Sequence, residues 1–302
     1  MSDTLTDAAE DRALRHWKFR DPTSRVKIGS EAHMQMFCSM LLETHNPYRP
    51  AVIDWPPLPA DVLARLTALP IWDMAVQTEG RATVRVASYA AGITDPLLRA
   101  ALDMDAAEEA RHKLVLSKLV AAYGIELAPE PEYLAPRDCE WAWMVTGYSE
   151  CIDSFFAFGL FRSAQQSGYF PEDLVQTFEP VIQEEARHIL FFANWVAWYR
   201  RTMPWWRRPW HSLRVGAIWI YLVWERMSIA RGMDADGGTH DSNFLPASTD
   251  TFGDALEPRA LFTLCLAENE RRMSGYDPRL LRPTLVPTLV RFALRFMKRR
   301  AP

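Results

Sequence analysis

The sequence is poor in the features that announce several large protein classes. Its four cysteines, Cys38, Cys139, Cys151 and Cys265, lie far apart and form no Cys-x-x-Cys pair. That excludes a zinc ribbon, a rubredoxin-type iron site and a disulfide framework, and it suits a reducing compartment. Basic residues show no excess, with 34 Lys and Arg against 38 Asp and Glu and a formal net charge of −4. A nucleic-acid partner, which calls for a clear basic surplus, is not expected. No stretch alternates Val, Ile or Thr with polar residues between turn signals, so strands are not expected either. Long hydrophobic runs are also missing. The longest, residues 215 to 224, is too short to span a bilayer. The opening MSDTLTDAAEDRALRHW is charged throughout and lacks the apolar centre of a signal peptide. These absences point to a cytoplasmic protein, at most peripheral to the inner membrane.

What is present is helix signal. Hydrophobic residues make up 49% of a 302-residue chain, enough to bury a substantial core. Residues 1–71 read as an N-terminal arm with short helices, one of them after Ser30, wrapping the rest. Residues 72–201 hold four long helical segments. The first runs to the neighbourhood of Gly92. The second opens with Asp95 as N-cap and Pro96 at the first helical position, and ends before Gly124. After the proline-broken stretch IELAPEPEYLAPR, a third helix runs from near Asp138 to Gly168, and a fourth from near Pro171 to Arg201 with a kink at Pro180. Residues 202–302 read as a C-terminal extension packed on the bundle. Its helices fall near residues 211–231, 254–274 and 283–300, the first two separated by the polar loop DADGGTHDSNFLPASTD. The predicted fold class is all-α.

The pentapeptide EEARH occurs twice, at residues 108–112 and 184–188, each time inside a long predicted helix. Residues i and i+3 share a helix face, so Glu109 with His112, and Glu185 with His188, can each grip one metal ion. Further carboxylates should come from neighbouring helices at the same height. With a turn near Thr94, Glu79 and Glu109 lie equally far from the hairpin. With a turn near Gly168, Glu150 and Glu185 are level as well. If the second and third helices are parallel, the link between them must climb roughly 39 Å. Residues 124–137 can extend to about 46 Å. The sequence after each histidine is strongly apolar, LVLSKLV and ILFFANWV. Carboxylates facing such a core are prohibitively costly without metal or protons to neutralise them.

The set Glu79, Glu109, His112, Glu150, Glu185 and His188 resembles the ferritin-like di-iron carboxylate superfamily. The pentapeptide itself is similar to segments of bacterial multicomponent monooxygenases, acyl carrier protein desaturases and di-iron arylamine N-oxygenases. The resemblance covers residues 72–201 in spacing and implies a four-helix bundle with a long crossover between its second and third helices. It implies that the six residues hold two iron ions, or an Fe/Mn pair, and act catalytically through them with O2 as co-substrate. It also implies that Glu108 supports His188, that Glu184 supports His112, and that Arg111 and Arg187 pair with those outer carboxylates. Ordinary surface ion pairs are the alternative for all four. Val181 stands where the N-oxygenases carry an extra histidine, which weakens that subtype. Storage ferritins have a single Glu-x-x-His, and rubrerythrins a four-cysteine iron domain that is missing here.

The resulting expectation is an oxidase or oxygenase (hydroxylation, N-oxygenation or desaturation) acting on a small-to-medium apolar substrate. Its electrons would come from a separate reductase, since no flavin, nicotinamide or iron–sulfur signature appears. An iron- or peroxide-handling protein without organic substrate, or an Fe/Mn ligand-binding oxidase, is the alternative. Thr83, Gly147, Ser154, Ala157, Val181 and Phe192, one turn from the ligand positions, are expected to line the substrate pocket or else to serve close helix packing. Seven of the twelve tryptophans fall between residues 195 and 224, interleaved with arginines, and the last helix is amphipathic and basic. Such a mixture suits a bilayer interface, an apolar tunnel, a packing seam or a homodimer contact.

Overall fold

The computed structural model describes residues 16–19, 25–230 and 257–297, and within them the chain is all-helical, with no strand. Helix α1 spans Glu31–Glu43, α2 Ala60–Thr67, α3 Trp72–Ala91, α4 Pro96–Ala122 and α5 Cys139–Ser167. A single short turn of helix, α6 (Glu172–Gln176), precedes α7 (Glu179–Thr202), and α8 (Arg208–Ala230), α9 (Pro258–Ser274) and α10 (Leu285–Phe296) follow. The polar loop between the last two predicted segments lies outside the described residues.

Local chemistry sets the boundaries that matter to the site. The Asp95 carboxylate accepts from the Leu97 and Leu98 amides, and the Asp138 side chain accepts from the Trp141 amide. Each cap stabilises its helix start by about 1 kcal/mol. At the other end of α5, Gly168 takes the left-handed conformation, with φ +63°, that ends the helix without a Cβ penalty. Two further starts depart from what the sequence predicts. Residues 60–67 form a helix that was not anticipated. The fourth long segment breaks after Gln176, so α7 starts at Glu179. Where a kink was expected the helix is broken outright: in a continuous helix the Pro180 ring would clash with the Gln176 carbonyl, whereas in the first turn of α7 its missing N–H costs nothing.

The path of the chain follows from a few contacts. A short turn joins α3 to α4, which pack antiparallel. The connector after α4 then runs back beside α3. The Ala128 amide donates to Asp73 at 2.7 Å, the Tyr133 ring covers Gly80, and Lys113 pairs with Glu130 at 2.6 Å. It delivers α5 beside the end of α3, where Tyr89 stacks on Trp143 at 5.7 Å. Helices α4 and α5 thus run the same way, and α7 returns in the opposite direction.

Helix α1 is more than an arm. Its Met36, Phe37, Cys38, Met40 and Leu41 are fully buried in the main core, and the helix packs against both α4 and α7. Helices α8, α9 and α10 all lie against α5. Gly159 of α5 lets α9 come close, with Cys265 filling the space a Cβ would need.

Candidate metal centre

Both EEARH segments sit at mid-helix, one on α4 and the other on α7, with their glutamates and histidines turned toward each other. Glu109, His112, Glu185 and His188 each offer a ligand atom, and these atoms lie within 4.8 Å of one another. The two imidazole rings stand 5.5 Å apart. Glu79 of α3 joins from the side, its carboxylate 3.7 Å from His112 Nδ1. Glu150 of α5 opens onto the same cavity as Glu79, Glu109, His112 and Glu185. The buried carboxylate and imidazole cluster is thus within metal-binding distance and compatible with a di-iron site.

The outer nitrogens of both rings are committed to a reciprocal cross-helix network. His188 Nε2 donates to Glu108 at 2.8 Å, and His112 Nε2 donates to Glu184 at 2.9 Å. The Arg187 guanidinium donates to both Glu108 oxygens, at 2.9 and 3.0 Å, and Arg111 donates to Glu184. Each pentapeptide therefore supplies the outer carboxylate for the other one's histidine. All of these groups are buried or nearly so, unlike surface ion pairs.

Once Nε2 carries the donated proton, neutral imidazole presents a lone pair at Nδ1. His188 Nδ1 faces Glu109 Oε1 at 2.8 Å, and His112 Nδ1 faces Glu185 Oε1 at 3.3 Å. Two acceptors opposed in a dry interior repel unless a cation lies between them, whether a proton or a metal ion. His112 Nδ1, His188 Nδ1, Glu109 Oε1 and Glu150 Oε1 are all buried without a hydrogen-bond partner. Orphaned atoms of this kind, converging from four side chains, fit a metal ion.

Electrostatics agree. Burial pushes the Glu109 carboxyl well above its ordinary range, with Glu79 adding to the effect. Burial does the same to Glu150, reinforced by Glu109 and Asp105. For His112 and His188 burial acts downward, but the surrounding carboxylates outweigh it and both rings hold protons more tightly than usual. Glu185 ends below its ordinary range despite burial, because the adjacent His112 ring favours its charged form and the Ser154 hydroxyl donates to it. All four of the raised groups favour a bound proton, the charge-balancing role that a metal cation can take over.

Some participants carry no periodic signal in the sequence. His45 Nδ1 donates to Glu108 at 2.7 Å, and the Tyr48 hydroxyl donates to Glu184 at 3.3 Å. Thr44 accepts from Arg187 at 2.7 Å, and Arg111 stacks on the Tyr48 ring at 4.2 Å. The segment after α1 thus covers the outer side of both networks. His45, Glu108 and Glu184 also converge within metal-binding distance. There, however, two guanidinium groups already neutralise the carboxylates, so a second ion has no vacant charge to balance. Asp105, one turn before Glu109, did have a readable position. It is fully buried, both its oxygens lack hydrogen-bond partners although Oδ1 stands 3.5 Å from His188 Nε2, and burial pushes its carboxyl up to about 6.

A cavity of about 310 Å³ opens beside the cluster, between α3, α4, α5 and α7. Ser154, Ala157 and Val181 line it, whereas Thr83, Gly147 and Phe192 do not. Phe192 lies instead in the space over Gly147 and packs edge-on against Trp143 at 5.4 Å, so both residues serve helix packing. Thr83 bonds back to the Glu79 carbonyl at 2.8 Å. The main lining was not predicted. It is apolar, with Ile71, Trp72, Leu119, Phe161, Phe170 and Phe178 prominent, while Arg81, Arg85 and Asp153 add charge.

Comparison of the chain with protein-family models, curated proteins and solved structures finds no match.

Proposed function

We propose that the chain is an O2-dependent di-iron oxidoreductase built on a ferritin-like four-helix bundle of α3, α4, α5 and α7, and that it acts on a small-to-medium apolar substrate. The observation that carries this reading is the convergence of buried, unpartnered ligand atoms from two identical helical segments, next to an apolar cavity. Glu79, Glu109, His112, Glu150, Glu185 and His188 would hold two iron ions. The parallel run of α4 and α5, joined by a long connector, supports the bundle topology. When bound, such an ion pair supplies two-electron chemistry toward O2 and the oxidising power to attack a C–H or N–H bond.

The chain's own residues do the rest. Glu108 and Glu184 fix the tautomer that leaves Nδ1 of each histidine free to ligate, and Arg187 and Arg111 hold those carboxylates in place by hydrogen bonds. Ser154 orients Glu185. Glu109 and Glu150 give up their protons as metal enters, keeping the buried charge balanced. The aromatic wall of the cavity excludes water and selects an apolar substrate. A cavity of this kind favours an oxidase or oxygenase over an iron- or peroxide-handling protein, which needs no organic pocket. Electrons would come from a separate reductase.

The test is anaerobic iron loading with quantification, then O2 exposure followed by absorbance and Mössbauer spectroscopy, in the native chain and in His112→Ala and His188→Ala. Binding of about two irons per chain as a coupled ferric pair, lost in both variants, supports the reading. Iron content that neither substitution changes would overturn it.

A further inference from the structure

The C-terminal helices carry a second feature, independent of the metal centre. Along α8, Trp210, Leu213, Ala217, Ile220, Trp224 and Met227 recur at three- and four-residue spacing, the period of a continuous apolar stripe. Such a stripe ordinarily faces a core. Here it faces outward. Trp210 is 72% exposed, Ile220 72% and Trp224 63%. The turn before α8 adds Trp205, 78% exposed, and Trp206. On α10, Leu285, Leu289, Phe292 and Phe296 form a shorter exposed stripe, flanked by exposed Arg291 and Arg295. The two helices share a base, since Trp219 of α8 packs into the apolar cluster on α5 that holds Val286 and Val290 of α10.

The charge along these segments is one-sided, although Arg214 of α8 pairs with Asp138 at the start of α5. No Asp or Glu occurs from residue 203 to 224, nor from 278 to 302, while the latter stretch carries seven Lys and Arg. In a chain of net charge −4 the two segments are basic islands, and the remainder is correspondingly more acidic. We infer that the exposed face of α8 and α10, with the Trp205–Arg207 turn, is a docking surface for an anionic lipid bilayer. Indole rings favour the headgroup level of a membrane, aliphatic and phenyl groups reach the acyl boundary, and arginines pair with lipid phosphate. The acidic remainder is repelled, which orients the molecule with this face down. A second copy docked on the same face would set two arginine-bearing segments of the same sign against each other, which disfavours it. No described helix is long and apolar enough to cross a membrane, so the contact is one of lying on the surface.

The experiment is flotation of the full chain with vesicles of pure phosphatidylcholine and with vesicles containing about one-third phosphatidylglycerol, at low and high salt. The chain should float with the anionic vesicles at low salt and bind at least about tenfold less to neutral ones or at high salt. The combined substitution Trp205→Ser, Trp206→Ser and Trp210→Ser, and separately Arg291→Glu with Arg295→Glu, should each weaken binding about tenfold or more while circular dichroism and iron content stay native. A native chain that ignores anionic vesicles overturns the inference. So does a chain that elutes as a dimer which the tryptophan substitutions dissociate, because the face is then an interface between copies. Iron loading is read separately, so failure here leaves the metal centre untouched, and failure there leaves this face untouched.

Discussion

At the scale of single residues, the four charged groups outside the ligand set separate buried from exposed pairing. Arg187 is 1% exposed, and its guanidinium donates to both Glu108 oxygens, to Thr44 and to the Leu41 carbonyl. Arg187→Ala strands a buried carboxylate and leaves a hole between α1, α4 and α7. The expected loss is about 3–5 kcal/mol of unfolding free energy, measured by urea titration of the metal-free chain. Arg99 with Asp103 on the outer face of α4 is the contrast. Those side chains are 40% and 52% exposed, and Arg99→Ala should cost no more than about 0.5 kcal/mol. Comparable losses from both substitutions would contradict the buried network. Glu108→Gln asks a narrower question, since the amide keeps the size of the carboxylate but loses its charge. His188 is then held less firmly in the tautomer that ligates, and iron retention against a competing chelator should fall about 10–100-fold. Retention equal to native would show that Glu108 does not tune the histidine.

At the scale of elements, close approach decides which helices can pack where. A Cβ on Gly147 would stand 2.1 Å from the Phe192 ring, and one on Gly159 would stand 2.3 Å from Cys265 Sγ and 3.0 Å from its backbone. Gly147→Ala must push α5 from α7, and Gly159→Ala must push α5 from α9. Each should lower stability by about 1–3 kcal/mol in thermal or urea unfolding. A neutral result at Gly147 would mean that the Phe192 ring can swing aside, which its packing against Trp143 and Trp195 opposes. Elements were also the level at which the sequence was most legible. The cap at Asp95, the helix start near Asp138, the glycine at 168 and the near-equal spacing of Glu79, Glu109, Glu150 and Glu185 from their turns are local or arithmetical properties. The break before α7 was half legible: Pro180 marks a disturbance, but apolar spacing continues across Thr177 and Phe178, so a kink was expected where the helix in fact stops at Gln176, the residue whose carbonyl the Pro180 ring would meet. The cavity was half legible for a related reason. One turn from a ligand fixes the face of a helix but not which neighbouring ring fills the space there, so Ser154, Ala157 and Val181 reach the cavity while Gly147 and Phe192 close on each other. His45 and Tyr48 come from an irregular segment after α1, where no period exists to read.

At the scale of the whole molecule, the metal centre couples stability to pH through the protons it holds. Glu109 and Glu150 bind protons more tightly folded than unfolded, mainly because burial penalises their charged forms. Such a group contributes stability that is fully present below its unfolded pKa, near 4.5, and is lost as pH rises through its raised folded value. His112 and His188 have the same sign. Their contribution is complete below the unfolded value near 6.5 and disappears as pH climbs through their raised values. Glu108 and Glu185 act oppositely, with folded values below 4.5, and their contribution is lost only in acid. The metal-free chain should therefore lose stability from neutral pH upward. A metal ion displaces the same protons, so the loaded chain should hold its stability over that range. The stabilisation by Fe(II) should then grow with pH, by about 1.4 kcal/mol per pH unit for each proton displaced. Calorimetric unfolding of metal-free and anaerobically Fe(II)-loaded chain across a pH series measures this directly, and binding heats in buffers of different ionisation enthalpy count the protons released. A metal-induced shift in Tm that stays constant with pH, with no proton release, would mean that the carboxylates and imidazoles are already deprotonated before metal arrives. The opposed acceptors at His188 and Glu109 argue against that, because a deprotonated centre would hold several like charges together in a largely buried site.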